Sequence, residues 1–289
     1  MSTSTSPPTD RVVDVLERLA ERPGGLRLAD LTRELDLTKG TAHAIMTTLC
    51  DRGWVTRDQV EKTFTLGPAL TIAAAKADLV RPLALAARAC AVELAEALGH
   101  AVTVVEQVGD SIVILAFEGG DAEILATPGD RVPFGAPIGL GFAAWGPEPV
   151  RRGWIERGAG DDATLARRLE ELTEVTRQRG YTVERMNATY AQTAQLMAML
   201  RDDQLPDGVR RAINSTLADL TRIVLQADHT VAVTAIAAPV FDDRHRVALN
   251  LAVHPNGSMS TAQIAAIGRR LTAETGRVSR STMPSEVAS

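Results

Sequence analysis

The sequence predicts an α+β chain of two domains: a winged helix-turn-helix first, then an antiparallel sheet flanked by helices, a sensor-like layout. Three observations predict it. Residues 28–66 hold two short helical patterns joined by a tight polar turn and followed directly by a β-ribbon pattern. Residues 101–117 are two β-rich runs separated by Gly109-Asp110, a hairpin signal. The runs at 231–240 and 246–253, joined by the turn "DDRH", return the chain to strands after a long helical stretch. A length of 289 residues suits about two domains. With 45% hydrophobic and only 3% aromatic residues, the cores are aliphatic.

The opening "MSTSTSPPT" (1–9) reads as a disordered Ser/Thr/Pro tail. Residues 10–21 supply the first helix of the winged domain, with Val12, Val15, Leu16 and Leu19 as its apolar stripe. Leu28, Leu31 and Leu35 mark the next helix, and Asp36 and Leu37 the turn. Thr38 caps the recognition helix through its hydroxyl. That helix turns Ala42, Ile45, Met46 and Leu49 inward and ends at Gly53. Its outward face shows Lys39, Gly40, Thr41, His43, Ala44 and Thr47, small, polar or basic groups suited to a major groove. Strands at 54–57 and 63–66 form the wing, where Arg57, Lys62 and Thr63 sit within reach of phosphate or minor groove. The winged domain spans 10–67, and 68–80 reads as a linker helix opened by Pro68.

Residues 81–283 form the second domain. A helix at 82–98 carries Leu83, Ala87, Cys90, Leu94 and Leu98 on one stripe and closes at Gly99. The hairpin follows, then a third strand in "EILAT". Residues 128–146, rich in Gly, Pro and Ala, suit a tight turn feeding a short buried helix. Helices are expected at about 147–157 and 162–179, the latter ended by Gly180. A helical insertion covers about 187–227, broken by the loop "DDQLPDG". After the two late strands and the turn "PNG", Ser260 and Gln263 form a capping box. Ile264, Ile267, Leu271 and Val278 line the last helix, with a loose tail after Ser279.

Chemistry is sparse. There is no nucleophile elbow, phosphate loop, CxxC or HExxH, so no catalytic residue, metal or cofactor is assigned, and the chain reads as a non-enzyme. Gly139-Leu-Gly141-Phe-Ala-Ala144 formally matches GxGxxA, but "DRVPFGAP" before it is a poor central strand. Asp228, His229, Asp242, Asp243 and His245 sit at strand starts and hairpin tips, where solvated turn residues are ordinary. Cys50 and Cys90 read as free, small hydrophobes of a reducing compartment. No apolar run approaches the ~20 residues of a membrane span, and a cytoplasmic protein is expected. The net charge of −5 argues against bulk nucleic-acid binding. Residues 1–80 hold 10 Lys+Arg against 11 Asp+Glu, so any basic patch is local and binding rests on specific contacts and dimerisation.

On these residues the chain resembles the IclR family of bacterial transcription regulators. "LTKGTAHAIMTTLCDRGWVTRD" is similar to the family's recognition helix and wing. "PFGAPIGLGFAAW" falls where the family has a "PLHATAxGKALLA"-like run. "RGYTVE" and "IAAPVFDD…RVALNLAV" resemble later landmarks. The resemblance implies a GAF/PAS-like C-terminal effector-binding domain, dimers or tetramers, double-stranded palindromic operator DNA and a small-molecule effector. It implies DNA contacts at Thr38, Lys39, Gly40, Thr41, His43, Ala44 and Thr47, with wing contacts at Arg57 and Lys62. It places the effector at Gly135, Ala136, Pro137, Ile138, Ala235, Asn250 and Ala252. By strand alternation Val247, Leu249, Leu251 and Val253 share one face, and Ala248, Asn250 and Ala252 the other. A cavity wall and a small face packed under a helix fit that pattern equally.

Three departures stand out. Ala44 replaces the Arg that the family usually has after the His. The family's polar pocket groups give way to Gly, Pro, Ile and Ala, which suggests an apolar or aromatic effector. The insertion, with Tyr190, Met197 and Met199, replaces a short acidic stretch and is a candidate lid. The resulting expectation is an effector-controlled regulator, a repressor rather than an activator. The alternative is a ligand sensor or protein-interaction module with weak or lost DNA binding.

Overall fold

The structure, a computed structural model, describes residues 6–120, 127–184 and 230–281, and the chain divides into two compact units, Met1–Arg81 and Pro82–Ser289. The first unit runs α1 (Pro7–Ala20), β1 (Leu26–Arg27), α2 (Leu28–Glu34), α3 (Lys39–Asp51), β2 (Val55–Arg57), β3 (Thr63–Leu66) and α4 (Pro68–Val80). Its antiparallel sheet has the order β1-β3-β2, with Leu26 opposite Phe64 and Val55 opposite Leu66. Val15, Leu19, Leu31, Met46, Leu49, Val55 and Phe64 close the core, so the apolar stripes of α1, α2 and α3 meet over the wing.

Two details differ from expectation. Helix α1 begins at Pro7, inside the segment expected to be a loose tail, because proline suits a first helical turn and Asp10 complements its dipole. Strand β1 precedes α2; two residues carry no periodicity to read. Close approach fixes where α4 starts: a Cβ on Gly67 would lie 2.3 Å from the Gly53 carbonyl oxygen, and the Gly67 N–H donates to Trp54 O at 2.8 Å. Helix α4 buries no residue, and Ile72, Leu79 and Val80 stand exposed along it.

The second unit runs α5 (Pro82–Leu98), β4 (Ala101–Val108), β5 (Ser111–Glu118), β6 (Arg131–Pro133), α6 (Leu140–Ala143), α7 (Glu148–Ala159), α8 (Ala163–Arg179), β7 (Thr182–Glu184), β8 (Thr230–Val233), β9 (Ala235–Phe241), β10 (Val247–His254), β11 (Gly257–Ser260) and α9 (Thr261–Ser281). Six strands form one antiparallel sheet in the order β6-β5-β4-β10-β9-β7. Helices α5 and α9 cover one face, burying Leu94, Leu271, Val102, Ile236, Leu251 and Val253 between them. A second cluster gathers α6, α7 and α8 with Phe134 and Trp154. This is the expected α+β plan, a mixed α/β domain around a curled antiparallel sheet.

The run at 231–240 is two strands, not one. At Thr234 the N–H donates to Glu184 O, at 2.9 Å, and β8 leaves the main sheet to pair with β11. Strand β6, with a proline at its end, takes the sheet edge, where a missing N–H costs least. The simple alternation along β10 slips at a bulge between Val247 and Leu249. Val247 therefore packs with the second cluster and Ala248 with the first, the reverse of expectation. The Ser260–Gln263 capping box forms, with Ser260 N–H to Gln263 Oε1 at 2.8 Å, and α9 continues past Ser279 to Ser281. The expected "EILAT" strand lies outside the described residues but for Thr127, which enters a turn by donating to Asp130 Oδ2. The expected insertion at 187–227, with Tyr190, Met197 and Met199, lies outside them too.

Candidate functional site

In the first unit, α3 presents its N-terminal end and one side to solvent. Thr38 is the N-cap: its Oγ1 accepts from the Thr41 N–H at 3.1 Å and lies 2.9 Å from the Thr41 hydroxyl. Both hydroxyls are thus partly committed to holding the helix start. Lys39, Gly40, His43, Ala44 and Thr47 are exposed. The Thr47 hydroxyl lies 3.4 Å from His43 Nδ1, so two of the outward side chains are held against each other.

The wing loop is built by Asp58, whose Oδ1 accepts from the Val60 and Glu61 N–H groups at 2.7 and 2.8 Å and whose carboxyl is lowered by those bonds. Lys62 follows in the left-handed region (φ 59°) and is exposed. Arg57 lies over the Phe64 ring, 5.5 Å from its centroid. Helix and wing together border a cleft of about 480 Å³ that brings His43, Thr47, Arg57 and Lys62 together. Arg27 and Gln59 join them, two residues missed in the sequence because each sits outside a readable periodic element. Asp51 also lines this cleft, keeping the local charge modest. Lys39, Gly40 and Ala44 lie beyond it.

The second unit has a different texture. On the sheet face away from α5 and α9, alternation sets Asn250 and Ala252 of β10 beside Thr103 of β4, Ala235 and Ala237 of β9, and Thr182 and Glu184 of β7. Ala235, Ala237 and Ala252 form a buried patch of their own. Asn250 is 3% exposed, and neither its Oδ1 nor its Nδ2 has a hydrogen-bond partner in the structure. The fully buried Thr182 hydroxyl is likewise unpartnered. The Thr103 hydroxyl lies 2.9 Å from His254 Nε2, and burial pushes that imidazole down to about 4, so it is neutral near pH 7. Burial pushes the Glu184 carboxyl up to about 7.

The Gly/Pro run behaves differently from the strands. Ala136 N–H donates to Trp154 O at 3.2 Å, the Trp154 indole donates to Ile138 O at 2.7 Å, and Arg157 donates to Phe134 O at 2.7 Å. Gly135 to Ile138 thus form a tight turn against α7. Downstream of that turn, Gly141 meets the amide of β10: a Cβ there would lie 2.5 Å from Asn250 Oδ1. Only an absent side chain lets α6 sit so close to that amide. Thr103 carries no motif, and Thr182 and Glu184 stand in the landmark "RGYTVE" without an assigned role; their facing depends on register, so sequence reasoning did not place them at the site. Among the described residues, no three or more His, Cys, Asp and Glu are grouped to hold a metal ion.

A winged helix-turn-helix unit joined to a unit with a buried, polar-studded sheet face defines the class of DNA-binding regulators. Residues 8–59 match the IclR helix-turn-helix domain. The glycerol operon regulatory protein of Streptomyces coelicolor is 28% identical over 199 residues, covering 67% of this chain and 78% of that protein. Among solved structures, Pseudomonas aeruginosa HmgR has a TM-score of 0.64 at 20% identity, covering 96% of this chain and all of that one (100%). An IclR homologue from Microbacterium hydrocarbonoxydans, complexed with 4-hydroxybenzoate, also has a TM-score of 0.64, at 17% identity, covering 95% and 100%. Residues 8–59 are thus an IclR-type helix-turn-helix domain, and the fold along the chain is similar to that of solved IclR transcriptional regulators. No helix among the described residues is long and apolar enough to cross a membrane.

Proposed function

We propose that this regulator is a cytoplasmic repressor, active as a dimer or tetramer on a palindromic operator and controlled by a small effector in its second unit. One observation carries the reading: α3 and the wing border one cleft that gathers His43, Thr47, Arg57 and Lys62 on an otherwise near-neutral unit. In the reading, residues 39–47 enter the major groove, Thr38 and Gly40 bring the helix start to a phosphate, and Arg57 and Lys62 clamp the flanking backbone. So light a charge on each half favours two half-sites acting together. The effector takes the face of Ala235, Asn250 and Ala252, with the turn at Gly135, Ala136, Pro137 and Ile138 supporting its rim. Ligand then changes operator affinity by its differential binding to two conformations. The glycerol operon regulators and the neighbour holding 4-hydroxybenzoate support such an arrangement.

Ala44 and the acid Asp51 in the cleft favour one second reading, a ligand sensor whose own DNA binding is weak. Fluorescence anisotropy with the intergenic DNA beside the gene, against a scrambled duplex of equal length, separates the two. The regulator reading expects at least ~100-fold preference for the intergenic duplex at physiological salt, the low end of specific over non-specific binding being larger still. Equal affinities for the two duplexes favour the sensor.

A further inference from the structure

Resting on the reading that the second unit holds the effector, we infer that its sheet face selects an uncharged small molecule, an apolar body carrying an amide or hydroxyl, and discriminates against carboxylates. The geometry is a floor with a rim. The floor is the buried alanine patch Ala235, Ala237 and Ala252, on adjacent strands with Ala237 opposite Ala252. Neighbouring strands lie about 4.8 Å apart and same-face residues about 6.8 Å apart along a strand, so the patch suits a small flat body. The rim is polar: Asn250 two positions along β10 from Ala252, Thr182 opposite Ala237 on β7, and Thr103 opposite Ala252 on β4.

Two groups of that rim are unsatisfied. Asn250 offers one acceptor and two donors, Thr182 one of each, and both residues are more than nine-tenths buried with those atoms unpartnered in the structure. Buried polar groups in folded proteins nearly always have partners, and leaving them without one costs stability. Gly141 presses the backbone of α6 to within contact of the Asn250 amide, which holds that side chain in place without bonding it.

Charge decides the ligand class. The strands β4, β5, β7, β9 and β10 contain no lysine or arginine. Among the described residues, the guanidinium groups of α7 and α8 at 157, 177 and 179 are engaged elsewhere: Arg157 on Phe134 O, Arg177 on Ala144 O and Glu174, and Arg179 on Tyr181 O. Among the described residues of these strands, the titratable groups on the floor's side are Glu184 and His254. Neither offers a carboxylate a counter-charge near pH 7: the imidazole is neutral, and Glu184 is an acid that is at best uncharged. A carboxylate would be desolvated there without compensation. An amide or hydroxyl meets the donor–acceptor pair of Asn250 in kind.

The test uses the full chain and two matched pairs of probes: 4-hydroxybenzamide with 4-hydroxybenzoate, and benzamide with benzoate. Isothermal titration at pH 7.5 is run on wild type, Asn250→Leu and Thr182→Val, and thermal unfolding is recorded without ligand. We expect the amide of at least one pair to bind about tenfold or more tighter than its carboxylate, one pairing's worth of desolvation. Asn250→Leu should remove that binding and, like Thr182→Val, unfold no lower than wild type, because each replaces an unsatisfied group by one of similar shape. A carboxylate bound more tightly than its amide overturns the inference, as does amide binding unchanged in Asn250→Leu. Failure of all four probes to bind wild type overturns it too. Operator anisotropy with each bound probe separates the two ideas. A bound amide that leaves DNA affinity unchanged defeats the effector reading alone, and a bound carboxylate that shifts it defeats the ligand class alone.

Discussion

Single residues show both what was legible and what was hidden. His43, Thr47, Arg57 and Lys62 were readable because a helix face and a ribbon have fixed periods, and the cleft gathers all four. Arg27 and Gln59 were hidden in a two-residue strand and a wing loop. Thr182 and Glu184 were hidden because a short strand gives no period, and their facing follows only from pairing with Ala237 and Ala235. Glu184 also supplies a pH test. Burial raises its carboxyl from 4.5 to about 7, so the folded state holds a proton that the unfolded chain has lost. The burial penalty is absent below about 4.5 and complete above about 7, and stability falls with rising pH through that window. His254, lowered from 6.5 to about 4, has the opposite sign: its penalty is absent above 6.5 and complete below about 4. Glu184→Gln should therefore match wild type in urea unfolding near pH 4.5 and exceed it by roughly 3 kcal/mol at pH 8, the released penalty of about two and a half pKa units. Parallel stability curves across that range would count against a buried, protonated Glu184.

At the scale of elements, long periodic segments were read well and short ones were not. The stripes of α5 and α9, the span of α8 up to Gly180 and the β4–β5 hairpin appear where composition and turn residues put them. Strands β1, β7 and β11, of two to four residues, are too short to show alternation. The split of β8 from β9 depends on one tertiary hydrogen bond at Thr234, and the slip in β10 on a bulge, neither of which leaves a local trace. Between elements, the tightest joint in the first unit is Gly67 against Gly53. A methyl group at 2.3 Å from a backbone oxygen has no flexible neighbour to displace. Gly67→Ala should cost about 1–3 kcal/mol, the usual cost of overpacking, as a lowered melting temperature. It should also weaken DNA binding, since the wing ribbon and the start of α4 must part. An unchanged melting temperature would show that the joint is loose.

For the whole molecule, the fold and regulator class were legible because recognition helix, wing and late strand landmarks are spaced along the chain as in a known family. What a single sequence concealed was the polar rim, assembled from three strands far apart in sequence. The two units divide the labour: one presents a local basic cleft on a chain of net charge −5, and the other a buried face with unsatisfied polar groups. With so little bulk positive charge, affinity must come from specific contacts, so salt should weaken binding only with the shallow slope of a few neutralised phosphates. The most direct measurement is fluorescence anisotropy of the intergenic duplex with wild type, Lys39→Ala and Arg57→Ala at low and physiological salt. Specific binding by wild type should be lost in Lys39→Ala. In Arg57→Ala it should weaken about equally on specific and scrambled DNA, with a shallower salt slope, as expected for a phosphate contact. Unchanged specific binding in both variants would contradict the placement of α3 and the wing on DNA.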